Sequence, residues 1–176
     1  MRILSDRQLS LQPAASHPAG QVPQSRLVLN GNATPILVDG TILEAAFQWN
    51  DLYLLFTTDD TPMEEMLRIT LLDENLQALD KAVIGSMYST GSFSLLPSDE
   101  RSLVRFRFMG NTDWSVEILQ EPGFRLPFLG DPRAVTRPWG FRGALSYEAI
   151  LSRKTTDADA VEGNKKAGPT CMPCLN

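Results

Sequence analysis

The residues that most often do chemistry are scarce in this 176-residue chain, and what remains is carboxylate and arginine. The one histidine, His17, stands in a Pro-rich stretch, and the two cysteines are Cys171 and Cys174. Between residues 26 and 152 there is therefore no Ser–His–Asp or Cys–His couple, no His-based zinc site and no two-His-one-carboxylate iron site. Lys81 is the only lysine in that span, so a Ser–Lys or Schiff-base mechanism would rest on it alone. No Gly-rich loop of the phosphate-binding type occurs. The Cys171-Met172-Pro173-Cys174 motif lacks the preceding strand and following helix that lower a redox thiol's pKa. Two thiolates also fall short of the four ligands of a structural zinc, and Cys174 sits one position off a prenylation box. The expectation is no catalytic residue, no cofactor and no metal.

Carboxylates alone can support glycoside hydrolysis, which needs two acids and no histidine. Four acidic pairs qualify by type: Asp59-Asp60, Glu64-Glu65, Asp73-Glu74 and Asp99-Glu100. All four stand between apolar runs, where such residues serve the backbone in turns. A calcium loop around Asp59-Asp60 would need the spaced Asp and Gly pattern of an EF-hand, which is missing.

Charge distribution says more. From Arg26 to Glu100 there are three basic and twelve acidic residues; from Arg101 to Ser152 there are seven arginines and five acids. The first half is an acidic surface. The second concentrates arginines near aromatics, above all in Glu121–Gly143, a Pro- and Gly-rich stretch without sustained alternation. Long irregular connections are often functional, and Arg with Trp is enriched at binding hot spots. The candidate partner-binding residues are Asp59, Asp60, Glu64 and Glu65 on the acidic side, and Arg125, Arg133, Arg137, Trp139 and Arg142 on the other. The competing account has the acids keeping the protein soluble and the arginines pairing internally.

Those side chains must be carried by strands. Thr41–Trp49 and Leu52–Thr57 alternate in polarity around Asn50-Asp51, a pair suited to a tight two-residue hairpin. That turn sets Trp49 opposite Leu52, Phe47 opposite Leu54 and Ala45 opposite Phe56, all on one face. The other face carries Glu44, Gln48 and Tyr53, with Ala46 and Leu55 as apolar exceptions. Leu103–Met109 and Asp113–Leu119 form a second hairpin around Gly110-Asn111-Thr112, in a register that sets Arg105 opposite Glu117. Met66–Leu72 alternates and turns at Asp73-Glu74-Asn75 into Leu76–Met87, where strand is preferred to helix. Further short strands are expected at Arg26–Leu29, Pro35–Val38, Ser92–Leu96 and Ala144–Leu151, and one helical turn at Thr61–Glu65.

These elements predict an all-β, mostly antiparallel fold, a β-sandwich or β-barrel of about eight or nine strands with at most one short helix. One domain over 26–152 is expected, with flexible segments at 1–25 and 153–176. The net charge of −5 and pI of about 4.9 speak against nucleic acid. No apolar run reaches membrane length, residues 1–25 lack the pattern of a secretory signal, and a cytoplasmic setting is expected. The function expected is non-enzymatic: an interaction protein binding a protein partner, itself basic, through the acidic surface or the Arg/aromatic loop, of the inhibitor or immunity type. The alternatives are a small-ligand barrel lined by Phe47, Trp49, Phe56, Phe106, Phe108 and Trp114, a component of a larger assembly, and, last, a carboxylate-dependent hydrolase. Homo-oligomerisation is left open.

Overall fold

The computed structural model describes residues 1–14, 21–59, 65–85, 91–98, 100–110, 112–124, 132, 134–137 and 142–151. These residues form thirteen strands: β1 (Arg2–Ile3), β2 (Leu9–Pro13), β3 (Gln24–Leu29), β4 (Asn32–Asp39), β5 (Ile42–Trp49), β6 (Leu52–Thr58), β7 (Leu67–Leu72), β8 (Ala78–Ile84), β9 (Ser94–Leu96), β10 (Leu103–Arg107), β11 (Thr112–Phe124), β12 (Val135–Thr136) and β13 (Arg142–Leu151). They make three antiparallel sheets, of six strands (β1-β5-β6-β7-β8-β12), four strands (β13-β11-β10-β9) and three strands (β2-β3-β4). The fold is all-β, and its packing is that of a sandwich, not a closed barrel. Among the described residues no helix is long and apolar enough to cross a membrane.

The six-stranded sheet is the middle layer. Its Ala45, Leu54, Phe56, Leu67, Ile69, Leu71, Ala82 and Ile84 pack against Val104, Phe106, Trp114, Val116, Ile118, Ala144 and Leu145 of the four-stranded sheet. Its other face offers Ala46, Leu55 and Leu72 to Leu9, Leu27 and Val38 of the three-stranded sheet. Side chains alternate between faces along a strand, so a strand covered on both sides reads as a nearly unbroken apolar run. Leu52–Thr58 and Leu67–Leu72 are such runs, and Ala46 and Leu55 are exceptions only to a one-sided pattern.

The first hairpin has the expected register, Trp49 with Leu52, Phe47 with Leu54 and Ala45 with Phe56, and Asn50 takes the positive φ (53°) that its turn requires. The strand over Ala78–Ile84 also replaces the helix that was its rival. Asp73 Oδ1 closes the turn before it by accepting the N–H groups of Asn75 (2.9 Å) and Gln77 (2.8 Å). The second hairpin corrects the expected register by two residues. Phe106 pairs with Trp114 and Arg107 with Asp113, while Arg105 faces Ser115. Met109 (φ 62°) and Gly110 (φ 71°) both take left-handed backbone, so the turn begins before Gly110. An even shift keeps every side chain on its face, and the Trp114 indole N–H donates to the Phe108 carbonyl at 3.0 Å.

Two boundaries also change. Residues 1–14, expected as part of a flexible segment, contribute β1 and β2, with Leu9 only 1% exposed. The short alternation Leu9-Ser10-Leu11-Gln12 carries that strand, and the prolines around it obscured the signal. The span expected to be irregular over 121–143 supplies the end of β11, all of β12 and the start of β13. Residues 61–64 of the helical turn expected at Thr61–Glu65 and the segment 153–176 lie outside the described residues, and Glu65 is in no helix.

One polar contact staples the two larger sheets. β11 and β13 lose register between Ile118 and Gly123, a bulge that contains Pro122, which has no N–H to give a ladder. Asp80 of β8 serves the backbone there. Its Oδ2 accepts the N–H groups of Ala144 (2.8 Å) and Leu145 (3.0 Å) together with Arg137 Nη1 (2.9 Å). Arg137 Nη2 donates in turn to the Leu145 carbonyl at 2.7 Å.

Candidate functional site

Internal pairing decides which charges are left to meet a partner. Asp59, at the end of β6, accepts a two-pronged contact from Arg68 of β7, Nε at 2.8 Å and Nη2 at 2.7 Å, with the carboxylate side chain 8% exposed. Arg137 is held by Asp80 and Leu145, with 13% of its side chain exposed. Both residues were expected to face a partner, and both are engaged inside the fold. The Arg68–Asp59 contact is a buried two-nitrogen fork, and a carboxylate so engaged has little left to offer a third group. Glu65 is half-buried and makes no ion pair among the described residues. Arg142 begins β13, where its backbone pairs with Phe124. Asp60, Glu64, Arg125, Arg133 and Trp139 lie outside the described residues.

Two further cations are matched. Arg107 meets Asp113 across the β10–β11 ladder at 2.7 Å. Lys81 lies 3.2 Å from Asp39 at the end of β4. Burial pushes the Asp39 carboxyl up, but the Gln24 amide and the positive charges of Lys81 and Arg68 more than offset it and hold the group below its ordinary value of 3.8. A carboxyl depressed by folding contributes stability above the unfolded pKa and loses it as pH falls through the folded one. Asp39→Asn is therefore expected to cost stability at neutral pH and progressively less as acid is added below about pH 4. Urea melts of both proteins from pH 2 to 7 would show it; a difference constant over that range would refute the role.

One group of charges without an ion pair among the described residues lies on the outer face of the four-stranded sheet. Cross-strand register sets Arg105, Ser115 and Glu148 in one row and Leu103, Glu117 and Ser146 in the next. The serines are short and their neighbours long, which leaves an open groove of about 360 Å3 whose rim also includes Glu100. Arg105, Glu100 and Glu148 are exposed and make no ion pair among the described residues. Among the described residues Glu117 receives only a long hydrogen bond from Ser102 Oγ, 3.4 Å. Three carboxylates against one guanidinium give the groove a net negative charge on a rigid sheet. Among the described residues no group of three or more His, Cys, Asp or Glu is arranged to hold a metal ion.

Linear charge counting missed Glu117 and Glu148, because it assigned them to the Arg-rich half of the chain. Alternation along each strand, combined with the true register, would have put them on one face. Of the aromatics proposed to line a cavity, Phe56, Phe106 and Phe108 are fully buried core and Trp114 nearly so, while Phe47 and Trp49 are partly buried and pack against it. Phe56 stands 5.2 Å from Phe106 and 5.4 Å from Phe93 between ring centroids. Compared with models of protein families, with curated proteins and with solved structures, the chain shows no match.

Proposed function

We propose that the protein is a non-catalytic binding module that docks a basic protein partner on the outer face of its four-stranded sheet. The observation that carries this reading is the groove around Ser115 and Ser146, with Glu100, Glu117 and Glu148 outnumbering Arg105. Carboxylates on a rigid, wet surface steer a cationic partner and specify its orientation more than they add raw affinity. An inhibitor or immunity-type role in the cytoplasm, masking the basic surface of another protein, is the concrete form we favour. The aromatic side chains favour this over a ligand-holding barrel, because they fill the space between the sheets.

The test is affinity capture at low salt with the full chain, followed by association kinetics with whatever stoichiometric partner is recovered. Glu117→Lys/Glu148→Lys is expected to slow association at least tenfold, with the wild-type rate falling steeply as salt is added. Asp51→Lys, in the turn between β5 and β6, should bind like wild type. Recovery of no partner, or equal rates for the charge-reversed pair, would sink the proposal.

A further inference from the structure

The three-stranded sheet covers only part of the middle sheet, and the apolar interface between them does not stop where the cover ends. β4 is an outer strand of that small sheet. Beyond its other edge, which no strand pairs among the described residues, runs a groove of about 320 Å3 whose floor includes Leu72 of β7 and Ala78 and Lys81 of β8. Ile36, Val38, Leu72 and Leu76 line this groove and also belong to the packed second core. The groove is thus the continuation of an interface already built by laying strands across a sheet, and a further strand is what extends it.

The edge of β4 offers backbone for that strand at one place. Leu37 pairs with Arg26, and Asp39 with Gln24. The Gln24 carbonyl accepts the Ala14 N–H on the β2 side. By the alternation of an antiparallel ladder, the backbone groups of β3 and β4 point apart at both pairs. The N–H and C=O of Leu37 therefore face the open side. Pro35 has no N–H to offer, the Ile36 N–H goes to Thr34 Oγ1 (3.3 Å) and the Asp39 carbonyl accepts Thr57 Oγ1 (2.7 Å). Lys81, the cation in the groove, is matched by Asp39, so the guest's inward face is uncharged.

We propose that this groove takes an extended segment of a partner protein, paired with β4 at Leu37 and directing alternate aliphatic side chains onto Leu72, Leu76 and Ala78. In strand addition the main chain gives affinity and the alternate pockets give specificity. The surface is separate from the acidic groove, and neither proposal depends on the other.

The probe is a capped heptapeptide alternating valine and threonine, titrated into the full-length, 15N-labelled protein. Saturable shift changes at the Leu37 amide, with slowed hydrogen exchange there, are expected. Ala78 is exposed, so Ala78→Arg should keep the circular-dichroism spectrum while weakening the peptide roughly tenfold. The proposal is overturned by an unmoved Leu37 amide up to the peptide's solubility, or by equal binding to Ala78→Arg. Self-association of the free protein that protects Leu37 would overturn it too, since a second copy would then be the occupant.

Discussion

Asp80→Ala is expected to remove about 3–5 kcal/mol of stability, the cost of stripping one partner from a buried ion pair. The carboxylate and the Arg137 guanidinium are 8% and 13% exposed, so neither can turn to water without moving a strand. The loss would strip the guanidinium of its Asp80 contact and leave two β13 amides without an acceptor beside a bulge that cannot supply one. A domain of this size commonly has about 5–15 kcal/mol in hand, and its melting midpoint falls by roughly 2–4 °C per kcal/mol. A urea melt and a thermal melt measure both quantities. Asp80→Ala/Arg137→Met should lose less than the sum of the two single changes, because both break the same contact. A loss below about 1 kcal/mol for Asp80→Ala, the size seen for exposed pairs, would show that the contact does not hold the sheets together.

Phe56→Ala is expected to cost about 3–5 kcal/mol, as large-to-small changes of buried phenylalanine do. The ring is fully buried on the middle sheet and meets Phe106 of the facing sheet edge-on, with Phe47 at 5.9 Å on its own sheet. Its removal opens a hole shared by strands from both sheets, which cannot collapse without shifting either ladder. A double-mutant cycle with Phe106→Ala should return a coupling of about 0.5–1.5 kcal/mol from the ring–ring contact. Additive losses would mean that the two rings merely share a core.

Much of this architecture is legible in the chain, and the failures have physical causes. The hairpin around Asn50-Asp51 is readable from Trp49 back to Ala45, since turn chemistry and apolar parity are independent signals that agree, but the register shift between Leu43 and Ala45 is not. The second hairpin is readable in its faces but not its partners. Parity cannot distinguish registers two residues apart, and Met109 gave no sign that it would adopt a left-handed backbone. The middle position of the six-stranded sheet was written in Tyr53–Thr58 and Leu67–Leu72, where apolar residues fall on both parities. The staple was not readable, because Asp80, Arg137 and Leu145 belong to three distant stretches of chain. The acidic groove was hidden for the same reason: Glu117 and Glu148 become neighbours only through the β11–β13 pairing.

Leu54 and Leu55 are adjacent in sequence and look into different cores, both with no exposure. A one-residue insertion in β6 would hand each core the side chains meant for the other. Drift in chain length is therefore costly in β6 and better borne at bends such as Asn50-Asp51, where an added residue exchanges nothing, or at a register shift such as that between Leu43 and Ala45.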